Sequence, residues 1–382
     1  MCACALSALL FLATLTNILR PEIPMEIQKE LQTFKARLDP LIGAYFDSVL
    51  KEALKEDDLV AEALEHARTI VLAGGKRLRS AFMYYGYLGA GGTEEDKILH
   101  TSMSVELIHS FLLVHDDIID RDDMRHGVPT LHKRYADFGR RFFPNQDVEH
   151  FGNSIALVMG DMLYSFGNDI IFRSNFSKER IFSALSCLQS IVSYTVVGQA
   201  RDIYMEYKRD GSEEEILTMY RNKTAKYTVE GPLHMGALLA GASQELLSLL
   251  SAYALPIGIA FQIQDDILGI FGSTKQMGKP VGSDIEEGKL TILVARALKN
   301  GTKEQSRRLR EILTRGAELT ERERLEFCSI IKETGSLEEI KRLAQEYIAQ
   351  GKKALSELRV KITPGAYDFL ESMAEYMTKR EY

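Results

Sequence analysis

From Met25 to the end of the chain, apolar residues recur at spacings of three and four positions almost without interruption. The stretches "LVAEALEHARTIVLAGG" and "SLEEIKRLAQEYIAQGKKALSEL" are typical, and the strict alternation of a half-buried strand is scarce. Glycines and prolines divide the pattern into segments of helical length, and no linker separates two units. The sequence therefore predicts an all-α fold, a single large bundle of ten or more helices in one domain over residues 25–382.

Three segments are apolar around much of their circumference, which is typical of helices surrounded by other helices. They are residues 152–172, 181–200 and 245–271. Segment 302–361 is richer in charge, so we expect it to form outer helices. The stretch "RRFFPNQDVEHFG" (140–152) is predicted to be a loop, and Gly231-Pro232 is predicted to be a break between helices.

The charge balance limits the kinds of partner that the chain can have. Acidic residues outnumber basic ones by 54 to 47, which gives a net charge of -7 and argues against nucleic acid as the main partner. A phosphate-binding site must then use a local basic cluster or a metal. The four cysteines fit neither a zinc pattern nor a disulfide framework, so reduced thiols of a cytosolic protein are expected.

The first 24 residues form an apolar N-terminal extension that lacks the basic start of a signal peptide. The run includes Ser, Thr and Asn, which a membrane-spanning helix would use sparingly. We interpret residues 1–24 as a dispensable extension of a cytoplasmic protein, with Met25 as an alternative start. An N-terminal membrane anchor is the other interpretation.

A dense acidic cluster, "HDDIIDRDDMRHG", directly follows the apolar run "LIHSFLLV". Asp116 and Asp120 are four residues apart and so lie on one helix face, and we expect Asp123 to continue that row. Like charges at this spacing repel each other unless a cation lies between them. Mg²⁺ suits such carboxylates, because it binds one or two of them together with substrate phosphates. A solvated acidic helix end without a ligand is the alternative.

A second acid pair occurs in "FQIQDDILGIFG", where Asp265 and Asp266 lie in a more apolar segment. An unpartnered carboxylate would be costly in such surroundings. Two acid pairs at the ends of two apolar helices therefore predict facing walls of one metal site.

Basic residues in three short stretches can supply donors for roughly two diphosphates, particularly after a Gly-Gly break that opens a helix. They are Lys76, Arg77 and Arg79 in "GGKRLRS", Lys223 and Lys226 in "NKTAKYT", and Lys279 and Lys289 in "GKPVGSDIEEGK".

Taken in order, these stretches closely resemble the trans-isoprenyl diphosphate synthases of the polyprenyl synthetase family. The resemblance runs from about Met25 to the C-terminus through "GGKRLR", "HDDIIDRDDMRHGVPTLH", "VMGDMLY", "GQARDI", "KTAKYT", "FQIQDDILGIFG" and "GKPVGSDIEEGK". It implies the isoprenoid synthase fold, a bundle around a central cavity, and a homodimer. It also implies head-to-tail condensation of isopentenyl diphosphate with an allylic diphosphate (dimethylallyl, geranyl or farnesyl), with three Mg²⁺ ions for which Mn²⁺ is expected to substitute.

The resemblance also implies roles for individual residues. Asp116 and Asp120 match ligands of two Mg²⁺ ions, with Asp117 in support. A third ion falls to Asp265, supported by Asp266 and Asp284. Arg125, Lys223 and Lys279 match residues that bind the allylic diphosphate, and Lys289 is a further expected donor. Lys76, Arg79 and His109 match residues that bind isopentenyl diphosphate. Thr224 and Gln262 match residues near the developing carbocation.

Two positions depart from the family pattern. His126 stands where a second arginine usually helps to hold isopentenyl diphosphate, and imidazole cannot offer the five donors of a guanidinium. We expect weaker binding that falls as pH rises; the alternative is that Lys76, Arg79 and His109 suffice. Gly269 stands where a third aspartate is usual, and Asp284 is expected to replace that carboxylate.

Product length is predicted from the residues that precede the first aspartate. In the family, an aromatic residue five positions before it, without one at position four, accompanies geranylgeranyl (C20) products; here these positions are Phe111 and Leu112. The sequence thus predicts a short-chain all-trans synthase with a C20 product. A terpene cyclase of the same fold, or an inactive regulatory subunit of a heteromeric synthase, are the alternatives.

Overall fold

The computed structural model describes residues 25–272 and 282–378. The apolar extension and Lys279 lie outside the described residues. The helices are α1 (Met25–Glu56), α2 (Asp58–Ala73), α3 (Leu78–Gly89), α4 (Glu95–Asp120), α5 (Leu131–Phe142), α6 (Val148–Phe172), α7 (Lys178–Lys208), α8 (Glu213–Tyr220), a π-helix (Arg221–Glu230), α9 (Gly231–Ala240), α10 (Gln244–Phe271), α11 (Ser283–Glu286), α12 (Ile292–Asn300), α13 (Lys303–Ile312), a 3₁₀ turn (Gly316–Glu318), α14 (Glu321–Glu333), α15 (Ser336–Leu358) and α16 (Pro364–Thr378). Two antiparallel strands, β1 (Met124–Arg125) and β2 (Val128–Pro129), form a short hairpin. The all-α prediction is confirmed.

Helix α10 runs through the middle of the bundle, and most of its side chains are buried. Its N-terminal half packs into one apolar cluster with α3, α4 and α6. Its C-terminal half packs into a second cluster with α12 to α15 through Ile263, Ile267 and Ile270, which share one helix face. Because α10 belongs to both cores, the acid pair near its C-terminus is carried into the centre of the protein.

Two local expectations from the sequence were wrong. Segment 140–152 is mostly helical, because α5 continues to Phe142 and Asp147 caps α6 by accepting a hydrogen bond from the backbone of His150 at 3.0 Å. The chain also does not break at Gly231-Pro232, since the π-helix leads directly into α9. A proline in the first turn of a helix loses only an N–H that needs no helical partner.

Helices α6 and α7 are not surrounded on all sides, contrary to expectation. One face of this pair is apolar and open in the single chain, with Phe172 65%, Phe182 76% and Val197 59% exposed. By length and hydropathy alone α6, α7 and α10 could cross a membrane, but α10 is largely enclosed by other helices. The other large exposed side chains on this face are Leu157, Val158, Tyr204 and Tyr207. We call this surface the α6–α7 face.

The start of α3 is held by a buried ion pair. Arg77, which caps α3 in the left-handed conformation (φ 56°), is 4% exposed and donates to Asp39 at 2.7 Å and Glu106 at 3.3 Å. Glu106 is itself 4% exposed and accepts a further hydrogen bond from Ser80. The expectation that Arg77 contacts a diphosphate was wrong, because its donors are used inside the protein.

Arg77→Ala should lower the free energy of unfolding by about 3–5 kcal/mol, since it leaves the Glu106 carboxylate buried without its cation. Denaturant unfolding measures the change. Arg173→Ala removes an exposed arginine that pairs with Asp169 one turn away, and it should leave the stability almost unchanged. Equal stabilities of the two variants would contradict the structural role of Arg77.

Candidate active site

A cavity of about 410 Å³ opens between α4, α7, the π-helix and α10. It brings together residues that are as far apart in sequence as Arg79 and Asp265. The predicted site residues that line it are Arg79, His109, Phe111, Leu112, Asp116, Lys223, Thr224, Gln262 and Asp265.

The first acidic wall lies on the last turns of α4, where Asp116 and Asp120 share one face. The Asp116 carboxylate accepts a hydrogen bond from Gln199 at 2.8 Å, and the Lys223 ammonium lies 3.9 Å from it. Lys289 donates to Asp120 at 2.9 Å. Burial disfavours both ammonium groups, but the neighbouring carboxylates outweigh it and raise the pKa of Lys223 and of Lys289. Both lysines therefore stay charged and offset the acidic wall.

The expectation that Asp123 continues this row was wrong. Helix α4 ends at Asp120, because Arg121 adopts the left-handed conformation (φ 59°) that terminates helices. Asp123 lies beyond that turn and pairs with Lys133 at 3.0 Å.

Asp117 and Arg125 form a buried pair behind the acidic wall. Asp117 is 2% exposed and accepts from the Arg125 Nε at 2.5 Å, and Arg125 also donates to Asp122 at 3.1 Å. The structure therefore supports Asp117 as a supporting residue. It does not bring Arg125 to the cavity surface, so its contact with a diphosphate stays a prediction.

The two aspartates of the second motif face different surroundings. Asp265 lines the cavity, whereas Asp266 is 4% exposed and is held by Tyr220 and, at 2.8 Å, by Gln262. Burial raises the pKa of the Asp266 carboxyl well above its ordinary value, and the hydrogen bonds that it accepts from Tyr220 and Gln262 oppose this rise because they stabilise the carboxylate. Asp266 is thus turned away from the cavity, and the expectation that it binds metal is not supported by this geometry.

Asp284 occupies the space that the family pattern would give to a third aspartate. A Cβ atom added at Gly269 would lie 2.0 Å from the Asp284 Oδ2. The Asp284 carboxylate therefore reaches α10 only because residue 269 has no side chain. This geometry agrees with the prediction that Asp284 replaces the missing carboxylate; its role as a metal ligand stays a prediction.

Thr224 and Gln262 meet at the cavity wall between the π-helix and α10. The Thr224 hydroxyl donates to the Gln262 Oε1 at 2.6 Å. π-Helical segments are rare in proteins, and those that occur are frequently found at functional sites. Two neutral oxygen-bearing groups thus lie in the apolar part of the cavity, where they can face a developing positive charge.

Arg79 and His109 lie together on the cavity side of Tyr227. The Arg79 guanidinium stacks on the Tyr227 ring at 4.5 Å and donates to Thr228 at 3.0 Å. His109 contacts the Tyr227 hydroxyl, and burial, followed by the charge of Arg79, lowers the pKa of His109 well below its ordinary value. His109 is therefore neutral at pH 7 and can act only as a hydrogen-bonding group, not as a cation.

Lys76 and His126 lie beside the Gly74-Gly75 turn rather than on the cavity lining. Lys76 donates to the Tyr376 hydroxyl of α16, and a Cβ atom added at Gly74 would lie 2.3 Å from the His126 ring. Burial, followed by the charges of Arg125, Arg77 and Lys35, lowers the pKa of His126. The structure therefore brings these two predicted isopentenyl diphosphate ligands to one turn.

The two predicted chain-length residues line the cavity. The Phe111 ring packs on Tyr164 of α6, with 5.1 Å between ring centroids, and on His115 at 4.8 Å. This support limits the freedom of Phe111 to swing aside, so it forms a fixed obstacle in the cavity.

Gln199 and Tyr227 line the cavity and Asp202 lies behind it, and the sequence did not predict a role for any of these three residues. Gln199 and Asp202 belong to "GQARDI"; Gln199 holds Asp116, and Asp202 accepts from Lys223 at 2.6 Å. Tyr227 belongs to "KTAKYT". The signal that could have found Gln199 and Asp202 is their spacing of three residues, which orients both to one face of a helix.

The carboxylates fit Mg²⁺ of the kind that is shared with a substrate. Within residues 25–272 and 282–378, no group of three or more His, Cys, Asp or Glu side chains converges closely enough to hold a metal alone. Asp116 and Asp120 on one wall, with Asp265 on the other, instead offer hard oxygen ligands around a shared cavity. Mg²⁺ commonly binds in this way, through one or two carboxylates, substrate phosphates and water.

Comparison with known proteins identifies the class of enzyme. The polyprenyl synthetase family model matches residues 60–328. A geranylgeranyl diphosphate synthase of Methanosarcina mazei is 34% identical over 321 residues, which cover 84% of this chain and 90% of that protein. A geranylfarnesyl diphosphate synthase of Aeropyrum pernix is 32% identical over 81% of this chain and 92% of that protein.

A solved structure shares the fold. The crystal structure of geranylgeranyl pyrophosphate synthase from Corynebacterium glutamicum, complexed with isoprenyl diphosphate and magnesium, matches with a TM-score of 0.87 at 32% identity, over 92% of this chain and 99% of that one. The fold and the acidic cavity thus define a prenyltransferase of the all-α isoprenoid synthase class. The chain belongs to the polyprenyl synthetase family.

Gly269→Ala should weaken Mg²⁺ binding, because its methyl group occupies the position of the Asp284 carboxylate. Loss of a supporting carboxylate typically costs about tenfold or more in metal affinity. We therefore expect the Mg²⁺ concentration for half-maximal activity to rise about tenfold. In the control, Gly365→Ala, the added Cβ atom has no neighbour within 4 Å and the Mg²⁺ dependence should not change. An unaltered dependence in Gly269→Ala would contradict the role of Asp284.

His126 predicts a pH dependence of isopentenyl diphosphate affinity. Since its pKa is lowered in the free protein, His126 is neutral at pH 7 and must gain a proton to bind an anion strongly. The KM for isopentenyl diphosphate should therefore rise as the pH rises through the titration of His126, whose pKa in the free protein lies below its ordinary value. His126→Arg should flatten this rise, because arginine stays charged. Because the diphosphate also titrates, the comparison between the two proteins is the measurement, and identical profiles would exclude His126 from binding.

Proposed function

We propose that this chain condenses isopentenyl diphosphate head-to-tail with allylic diphosphates to give geranylgeranyl diphosphate, the C20 all-trans product. The observation that carries the proposal is the shape of the cavity. Carboxylates and cationic groups surround one part of it, and an apolar part runs along α4 to Phe111. Such a cavity suits a molecule with a diphosphate head and a growing hydrocarbon tail.

The reaction begins when the allylic C–O bond breaks and its electron pair leaves with the diphosphate. The double bond of isopentenyl diphosphate then attacks the allyl cation, which their proximity makes effectively unimolecular. Loss of a proton, taken by the departing diphosphate, forms the new trans double bond. The oxygens of Thr224 and Gln262 face the cation, and the apolar walls keep water from it.

We propose that three Mg²⁺ ions assist, held by Asp116, Asp120, Asp265 and Asp284, and that Mn²⁺ can substitute. When bound, the metal neutralises charge on the diphosphate oxygens and so improves the leaving group. Lys223 and Lys289 are charged and half-buried beside the same carboxylates, so they are ready to contact a diphosphate that arrives there. Arg79, His109, Lys76 and His126 would hold isopentenyl diphosphate. A cyclase would have no second diphosphate for these residues to bind.

We propose a homodimer that pairs the α6–α7 face of one chain with that of a second copy. Side chains such as Phe182 and Tyr207, 76% and 78% exposed, lie on a surface that a single chain leaves in water. Large contiguous apolar patches of this kind mark interaction sites. Sedimentation of the wild type should give twice the mass of one chain, and a single-chain mass would contradict the proposal. We further propose a cytoplasmic location.

Product analysis tests the proposed function. The purified protein is incubated with Mg²⁺, isopentenyl diphosphate and, separately, dimethylallyl, geranyl and farnesyl diphosphates, and the dephosphorylated alcohols are separated by mass spectrometry. A C20 alcohol from each primer supports the proposal. A C15 or C25 end product contradicts the product length alone, and no elongation contradicts the function.

Phe111→Ala should lengthen the product, because it removes the side chain that limits the cavity. The main product should shift from C20 to C25 and longer, as the alcohols of the same assay would report. Phe143→Ala is the matched control, since Phe143 is 44% exposed and does not line the cavity. An unchanged product in Phe111→Ala would locate the limit elsewhere.

A further inference from the structure

We propose that Tyr220 is a positioning residue of the condensation reaction, whose buried hydroxyl fixes the orientation of the Gln262 amide at the cavity wall through Asp266. This inference rests on the proposed function. Tyr220 does not touch the cavity; it is 2% exposed and is the last residue of α8, directly before the π-helix. Its side chain therefore acts on the site only through its neighbours.

The Tyr220 hydroxyl joins two other segments. It accepts a hydrogen bond from the backbone N–H of Ile292 at 2.9 Å and contacts the Asp266 Oδ2. A phenol has a single proton, and since Ile292 supplies its own, the phenol proton is directed to Asp266. One hydroxyl thus ties the start of the π-helix, the C-terminal part of α10 and the start of α12 to each other.

Asp266 passes this constraint to Gln262. Its second oxygen, Oδ1, accepts from the Gln262 Nε2 at 2.8 Å. An amide has one donor end and one acceptor end, so the donor end of Gln262 is committed to Asp266. The acceptor end, Oε1, then points to Thr224, which donates to it at 2.6 Å, and to the cavity that both residues line.

The orientation of this amide determines the sign of the charge that faces the cavity. With Oε1 inward, the partial negative end of the amide and the Thr224 oxygen face the region where the allyl cation forms. A flipped amide would present its N–H groups, which repel a cation. Dipoles that are oriented before the reaction stabilise developing charge most effectively, because nothing has to reorganise. A residue that prevents the flip should therefore raise kcat rather than substrate affinity.

The Tyr220 hydroxyl also lies close in sequence to the two lysines of the acidic wall, through the segments that it joins. Lys223 lies three residues after Tyr220, within the π-helix, and Lys289 lies three residues before Ile292. The contacts of Tyr220 with Asp266 and Ile292 therefore fix the chain close to both lysines.

Tyr220→Phe removes the hydroxyl and keeps the ring. We expect kcat to fall about tenfold or more, since a misplacement of about 1 Å can cost about 100-fold, while the KM for isopentenyl diphosphate stays within about twofold. Tyr253→Phe is the matched control. Tyr253 lies on α10, is fully buried, and donates to the backbone oxygen of Leu370 at 2.7 Å, away from the cavity. It should lose a similar amount of thermal stability and keep its kcat.

A double-mutant comparison separates positioning from general damage. If Tyr220 acts through Gln262, then adding Tyr220→Phe to Gln262→Ala should lower kcat no further. Asp266→Asn serves as a second variant if Tyr220→Phe does not fold, because its amide can no longer accept on both sides; its kcat should fall by a similar factor.

Three results would overturn the inference. The first is a kcat within twofold of the wild type in Tyr220→Phe, or in Asp266→Asn if Tyr220→Phe does not fold. The second is a loss of kcat in Tyr253→Phe as large as that in Tyr220→Phe. The third is a kcat of the double mutant that is lowered by the product of the two single losses. A wild type that forms no prenyl product would overturn the proposed function together with this inference, whereas an active wild type with an unimpaired Tyr220→Phe overturns the inference alone.

Discussion

Repulsion among carboxylates that share one cavity is the constraint on which the rest of the site depends. Asp116 and Asp265 line the same opening from two different helices, and Asp120 lies one turn beyond Asp116. The protein offsets this charge with two half-buried ammonium groups, those of Lys223 and Lys289, whose pKa values are raised by the same carboxylates. The two lysines thus balance the carboxylates while no ligand is bound, and a metal–diphosphate pair can take over this role when it binds.

The surrounding fold makes this concentration of charge possible. The acidic groups are held at the C-terminal ends of α4 and α10, and α10 is anchored in both apolar cores. Behind the acidic walls lie further buried contacts, Asp117 with Arg125 on one side and Asp266 with Tyr220 on the other. Each of these contacts fixes a side chain whose neighbour in sequence faces the cavity. The two adjacent aspartates of each motif therefore have different roles, since one lines the cavity and the other holds the helix in position.

Local spacing predicted the helical class and the shared face of Asp116 and Asp120. The other predicted cavity residues came from the resemblance to the polyprenyl synthetase family, as did the expectation that Asp284 replaces the aspartate missing at Gly269. Interactions between distant segments were not predictable in this way. The residues that neighbour Asp266 in sequence do not indicate that its side chain turns towards Tyr220, which lies 46 residues earlier. Asp123 was misjudged because the single left-handed residue that ends α4 carries no strong sequence signal.

We expect the cavity to bind diphosphate only together with metal, since its own cations already balance its carboxylates. Calorimetric titration of inorganic diphosphate into the protein, with and without Mg²⁺, tests this most directly. We expect binding only when Mg²⁺ is present, and loss of that binding in Asp116→Asn, because the carboxylate is then missing. Equal affinity for diphosphate in the absence of Mg²⁺ would contradict the account, since it would mean that the lysines and arginines alone form the site.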